Sequence, residues 1–190
     1  HLNADKAAAG TPLAKARAFD AVPLFGVGAA YDLTPQTQLY SNFSQSYRPK
    51  VFTQAVPTGA TNVINDDLEE GKSWLVDMGA RGRAWHTLSW DLSYFLMRFS
   101  NQIGASGNTI ENVGDALHQG VEFATEADLP GSISPFFNLM LLDARFTEGP
   151  QDGKTPQYAP QYTMRFGARY RLNDRLKLSL AGVFVDDHFA

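Results

Sequence analysis

No cysteine occurs in the 190 residues, so neither a disulfide framework nor a thiolate metal site exists. No apolar run approaches the roughly 18 residues that a membrane-spanning helix needs. If a membrane is involved, strands must cross it. Neither sign of charge dominates: the net charge is -4 and the pI about 5.5, which argues against a nucleic-acid footprint. The histidines, His1, His86, His118 and His188, are scattered and fit no metal-ligand spacing. There is no Gly-x-Ser-x-Gly elbow for a nucleophilic serine. Gly149 to Thr155 imitates a phosphate-binding loop, but it is one spacer residue short and opens no predicted helix. Asn42-Phe43-Ser44 has the glycosylation pattern but falls in mid-strand.

What the chain does have is alternation. Between Ser73 and Arg83 the even positions are Trp74, Val76, Met78, Ala80 and Gly82, and the odd ones include Asp77, Arg81 and Arg83. From Leu88 the even positions are Leu88, Trp90, Leu92, Tyr94 and Leu96, set against Ser89, Asp91 and Ser93. A period of two is the mark of a strand with one apolar and one polar face. Gly71 to Phe99 therefore reads as two long strands turned at Trp85-His86.

Other stretches follow suit. Strands are expected over Phe19–Leu33, Thr37–Tyr47, Ala116–Asp128, Ile133–Phe146, Tyr162–Leu172 and Arg175–Val185. His1 to Ala18 is Ala/Lys-rich but broken by Thr11-Pro12, and reads as a loop. Thr34-Pro35-Gln36, Leu129 to Ser132 and Asn173-Asp174 are tight turns. Arg48–Glu70, Ser100–Gly114 and Thr147–Gln157 read as long loops.

The pattern describes an all-β, antiparallel up-and-down meander of about eight long strands, with short turns at one end and long loops at the other. An 11-residue strand at a tilt near 45° rises about 26 Å, close to the apolar band of an outer-membrane barrel. Tyr31, Tyr40, Tyr47, Trp74, Trp90, Tyr94, Tyr162 and Tyr170 lie near strand ends, as interface girdles do.

Several motifs carry a family resemblance. These are Leu39 to Pro49 (LYSNFSQSYRP), Leu68 to Trp74 running on to Arg81, Glu111-Asn112-Val113-Gly114 followed by Gly120-Val121-Glu122, and Tyr158-Ala159-Pro160-Gln161-Tyr162. In this order, across Leu24 to Phe189, the chain resembles the C-terminal barrel of a TonB-dependent outer-membrane receptor. Val183 to Phe189 (VFVDDHF) is similar to the ferric-citrate branch. The resemblance implies an open fragment of a transmembrane barrel of about 22 strands. It implies one partial barrel domain over residues 1–190, the plug domain and final strands lying elsewhere in a longer protein. It further implies a receptor for a ferric chelate, a siderophore or ferric citrate, energised through TonB in the outer membrane of a Gram-negative bacterium. Its partners would be that ligand, the protein's own plug, TonB and membrane lipid, with no cofactor, no catalysis and no nucleic acid.

With the apolar face toward lipid, Asp77, Arg81, Arg83, Asp91, Glu122, Glu126, Arg165, Arg169, Arg171 and Lys177 would face the lumen and the plug. Ligand would be met on the long-loop side. An anionic chelate wants cationic and amide donors there, and Gln45, Arg48, Lys50, Asn101, Gln102 and Asn108 are the candidates. The loops Arg48–Glu70 and Ser100–Gly114 would close over it. Two rivals stay open: a plug-free outer-membrane porin, and a soluble β-barrel binding module. A piece cut from a larger barrel should be a curved open sheet with no ladder between its first and last strands.

Overall fold

The computed structural model describes residues 22–49, 68–106 and 109–187. They form one sheet of eight strands: β1 (Gly26–Thr34), β2 (Thr37–Arg48), β3 (Gly71–Ala84), β4 (Leu88–Ser106), β5 (Thr109–Ala127), β6 (Ile133–Phe146), β7 (Tyr162–Arg171) and β8 (Lys177–Val185). Each strand pairs antiparallel with the next in sequence, and β1 and β8 are the two edges. The sheet is open, as expected, and no described segment is helical. The expected loop His1–Ala18 lies outside the described residues.

Boundaries agree closely where alternation is unbroken. β6 runs Ile133–Phe146, as read from sequence, and β7 and β8 are shorter by one and two residues. The turn at Trp85-His86 is also found: both residues take left-handed φ (48° and 59°), and the Thr87 N–H donates to the Ala84 carbonyl at 3.2 Å. Two consecutive positive φ values suit the right-handed twist of a hairpin, although Trp is an unusual residue to adopt one.

One expectation is corrected. Ser100–Gly114 is not a loop: β4 and β5 pair on as far as Ser106 and Thr109. Composition misleads here because the ladder is carried through irregularities between Phe99 and Ile103. Asn101 sits there with φ 55°, a conformation Asn tolerates, and Gly114, paired with the adjacent Gln102, has φ 120°. Connections at this end therefore differ: long ones before β3 and β7, and a tall hairpin between them.

Among the described residues the sheet has no second layer, and its apolar face is uncovered. Val27 is 70% exposed, Phe166 53% and Leu180 80%. Buried apolar side chains among the described residues are Leu68, Ile103, Val113, Ala116, Ala144, Phe146 and Ala159, all at the long-loop end. Val113, Ala116 and Phe146 pack together with Phe99 against them.

A recurrent device holds neighbouring strands close. Five aromatic rings lie over the glycine directly opposite: Tyr40 on Gly79, Trp90 on Gly82, Phe95 on Gly120, Phe136 on Gly167 and Phe166 on Gly182. A side chain at Gly120 would start 2.7 Å from the Phe95 ring and 2.2 Å from the Leu141 carbonyl oxygen. Covering the bare glycine restores the contact area it lacks. Gly120→Val is expected to destabilise the barrel by about 1–3 kcal/mol through overpacking. Gly26→Ala, where the nearest atom is 3.5 Å away, is expected to be near neutral. Loss of heat-resistant gel mobility in the full-length protein is the measurement.

Candidate functional site: the concave face

Register fixes which side chains share a face. Asp77, Arg81, Arg83, Asp91, Glu122, Glu126, Arg165, Arg169, Arg171 and Lys177 all fall on one side, opposite Trp74, Leu92, Tyr94, Phe123, Leu139 and Leu180. That side is concave. A hollow of about 720 Å³ spans β3 to β8 on it, lined by Arg81, Asp91, Glu126, Asn138, Arg165 and Arg169 among others.

Cross-strand rows organise this face. Toward the turn end one row reads Asp32–Gln38–Arg81–Asp91–Ala124–Asn138–Arg165. Its members bond to each other and to the next row. Gln38 Nε2 donates to Asp32 at 2.7 Å, and Arg81 donates to Gln38 Oε1 through Nε (3.0 Å) and Nη2 (2.7 Å) while lying over the Tyr40 ring. Tyr40 OH donates to Asp91 at 2.7 Å, and Asn42 donates to Asp77 at 2.9 Å. Nearer the turns, Arg169 bonds Glu126, and Arg83 meets Asp128 at 3.4 Å. Arg165 and Arg169 both stack on Phe136, 5.3 and 5.5 Å from the ring centre.

These side chains are largely exposed, so single pairs contribute little. Their joint effect is to spend charge within the wall. The side chains of Glu122, Arg171 and Lys177 make no hydrogen bond or ion pair among the described residues, and that of Arg165 makes only its contact with Phe136.

Toward the long-loop end the same face changes character. After Gly79–Ser93–Glu122–Met140 the rows read Asp77–Phe95–Gly120–Leu142, then Leu75–Met97–His118–Ala144, then Ser73–Phe99–Ala116–Phe146. The convex face changes in the opposite sense. Beyond Tyr94–Val121–Leu141 it reads Leu96–Gln119–Asp143 and Arg98–Leu117–Arg145. Tyr94 OH donates to Gln119 at 2.9 Å, Gln119 donates to Asp143 at 2.9 Å, and Arg98 meets Asp115 (3.2 Å) and Glu148 (3.3 Å). Polarity thus inverts along β4–β6. Sequence reasoning followed the charges and missed this. The signal was present where alternation gives way to continuous apolar runs, Tyr94-Phe95-Leu96-Met97 and Leu139 to Leu142.

The six mouth candidates separate. Gln45 pairs with Trp74 on the convex face, and its Oε1 accepts from the Phe25 N–H at 3.3 Å, a position turned away from the lumen. Arg48 and Gln102 line one small cleft with Ser46, Ser73 and Phe99, and the buried Gln102 Oε1 has no hydrogen-bond partner among the described residues. Asn101 is occupied: its N–H donates to Asp115, its Nδ2 to Glu69 at 2.7 Å, and its carbonyl accepts from Asn112. Lys50 and Asn108 lie outside the described residues, as does most of the loop Arg48–Glu70.

The Asn-Val-Gly and Gly-x-Glu motifs have physical roles. Asn112 grips the Glu69 backbone like a strand neighbour, Oδ1 accepting from its N–H (2.7 Å) and Nδ2 donating to its carbonyl (3.0 Å). Val113 enters the small core, and Gly114 leaves room for the Glu148 carbonyl, which a Cβ would overlap at 1.8 Å. Gly120 receives Phe95, and Glu122 projects onto the concave face. Asn112→Ala removes both bonds to Glu69. Amide hydrogen exchange at Glu69 is expected to speed up by about tenfold, equivalent to about 1.4 kcal/mol. Exchange at Gly120, in mid-strand, should not change.

A meander of long strands with an exposed apolar face and an ionic concave face defines the wall of a membrane-type β-barrel. Residues 3–188 match the family model "TonB dependent receptor-like, beta-barrel", and the chain belongs to that family. No curated protein sequence matches it. Solved structures do. The ferric citrate transporter FecA in its unliganded form is 22% identical over 86% of this chain (TM-score 0.63, 25% of that chain). The ferric yersiniabactin uptake receptor FyuA from Yersinia pestis is 21% identical over 86% (TM-score 0.67, 26% of that chain). The copper transporter OprC is 19% identical over 87% (TM-score 0.67, 27% of that chain). At these identities the likeness carries the fold. The chain spans about a quarter of the length of each. Family and neighbours are receptors and transporters, not enzymes.

Proposed function

We propose that this chain is a stretch of barrel wall from an outer-membrane receptor of a Gram-negative bacterium, one that imports a ferric chelate with energy delivered through TonB. The observation that carries the reading is the two-faced sheet. Leu92, Phe166 and Leu180 stand exposed on one side, and ionic rows line the concave side. Membership of the TonB-dependent receptor family supports it, as do neighbours described as ferric citrate and ferric yersiniabactin transporters.

Glu122, Arg165, Arg171 and Lys177 are the wall charges left for a plug to satisfy. Asp77, Arg81, Arg83, Asp91, Glu126 and Arg169 act mainly on one another and their neighbours, presenting the plug with a preorganised polar surface. At the mouth, Arg48 and Gln102 are the donors best placed to meet ligand.

Cells dependent on the full-length protein are expected to accumulate radiolabelled iron from a chelate only while TonB is present. Uptake that persists after TonB is removed, rising in proportion to chelate concentration, would mean a passive pore. Within the receptor, Glu122→Gln is expected to raise single-channel conductance by loosening the plug, whereas Asp143→Asn, on the convex face, should leave conductance unchanged.

A further inference from the structure

We infer that the small cleft at the long-loop end of β2, β3 and β4 is a binding site for one tetrahedral oxyanion of double negative charge, a phosphate or a sulfate. Its volume is about 120 Å³, well below the roughly 300–1,000 Å³ of a small-molecule pocket. A ferric chelate has no room there, and the inference stands apart from the iron-chelate reading.

Three observations carry it. The first is charge. Arg48 and Lys72 both line the cleft, and no Asp or Glu does. Arg48 stands opposite Gly71 across the β2–β3 pair, and Lys72 is the next residue along β3, so two cations share one strand end. Neither side chain has a hydrogen bond or ion pair among the described residues. Carboxylates nearby are committed elsewhere: Asp115 accepts from Arg98 and from the Asn101 N–H, and Glu69 accepts from Asn101 Nδ2. Two like charges held together repel, and a dianion relieves both at once. A carboxylate, with one charge, would leave a cation unmatched.

The second is the set of donors. Ser46 and Ser73 are paired directly across β2 and β3, and their hydroxyls make no hydrogen bond among the described residues. Ser100 adds a third hydroxyl, held only by a long contact of 3.4 Å to Asp115, and Gln102 adds an amide. The break in register between Phe99 and Gln102 is what brings these two residues of β4 to one cleft. Donors arriving from three strands suit an anion whose oxygens point in four directions. The third observation is the floor. Gly71 is buried, and a Cβ there would stand 3.4 Å from Arg48 Cβ and 3.5 Å from the Asn101 carbonyl oxygen. Phe99 and the buried Ile103 close the inner side, and an apolar wall strengthens charge-assisted bonds beside it.

The test is isothermal titration calorimetry on the full-length receptor in detergent, at constant ionic strength so that screening stays the same. Sodium phosphate, sodium sulfate and sodium acetate are the probes, with glucose 6-phosphate to separate an ester-linked group from a free ion. Phosphate or sulfate is expected to bind saturably at one site, and acetate about tenfold more weakly. Arg48→Gln should weaken the dianion about tenfold, and Ser73→Leu, which fills the cleft at unchanged charge, should abolish its binding. Arg145→Gln, which removes an exposed cation from the convex face, should leave binding within about twofold. Heat-resistant gel mobility reports that each barrel has folded. Should Ser73→Leu not fold, the contrast between Arg48→Gln and Arg145→Gln carries the test alone. Binding of glucose 6-phosphate as tight as that of phosphate would support the site and extend it to phosphate esters. No saturable binding of either dianion would overturn the inference, as would equal binding of acetate. An equal loss in Arg145→Gln would overturn it too, marking the ions as a general counter-ion cloud. None of these outcomes bears on iron import, which TonB-dependent accumulation decides separately.

Discussion

A single β-sheet cannot hide either of its faces from the surroundings, and everything else in this molecule follows from that. A soluble sheet lays its apolar face against a second layer. Here no second layer exists among the described residues, and side chains as large as Phe166 and Leu180 stand open on the convex side. Such a surface calls for an apolar neighbour, which the outer wall of a membrane β-barrel finds in hydrocarbon. The concave side then has to be compatible with a filled or watered interior. The ionic rows supply this at the turn end, where Asp32, Gln38, Arg81 and Tyr40 bond laterally across three strands. Register is the variable that couples the two faces: a slip of one residue would exchange them, exposing Asp91 to lipid and Leu92 to the lumen.

With so little buried volume, the strands depend on lateral contacts. The aromatic rings laid on opposing glycines are one answer, distributed over five of the seven strand pairs. The other is the cluster at the long-loop end. There Leu68, Ile103, Val113, Ala116 and Phe146 make a small core, and Asn112 and Asn101 tie Glu69 to the β4–β5 hairpin. Anchoring at Glu69 means that whatever the preceding segment does at the mouth, its return into β3 starts from a fixed point.

Strand existence and facing were legible in the sequence because a two-sided environment writes itself as strict alternation. Ile133–Phe146 could be read to the residue, and the Trp85-His86 turn was marked by the break between two alternating runs. Ser100–Gly114 was not legible. Asn, Gly and Ser are loop formers by composition, yet Asn101 and Gly114 serve there as the irregularities that let a ladder pass through, and Ile103 and Val113 as its buried contacts. Among the mouth candidates, residue type pointed to function where the structure has a local use. Asn101 is consumed by the Glu69 and Asp115 contacts, and Gln45 faces outward beside Trp74. Side-chain chemistry alone does not tell a free donor from one already bonded.

The inversion of polarity along β4–β6 changes how the barrel wall should be understood. A wall of uniform alternation would be one device, a lipid-facing sheet around a polar channel. Two chemistries stacked along the same strands make two devices. The turn half, apolar outside and ionic inside, suits embedding around a polar filler. The loop half is polar outside, through Arg98, Asp115, Gln119, Asp143 and Glu148, and apolar inside. The junction falls near Tyr94 and Gln119, whose hydrogen bond joins an amphipathic ring to the first polar group of the outer face. A tall β4–β5 hairpin is what this arrangement requires: strands that ended with the apolar band would have no length left to carry the second, inverted half.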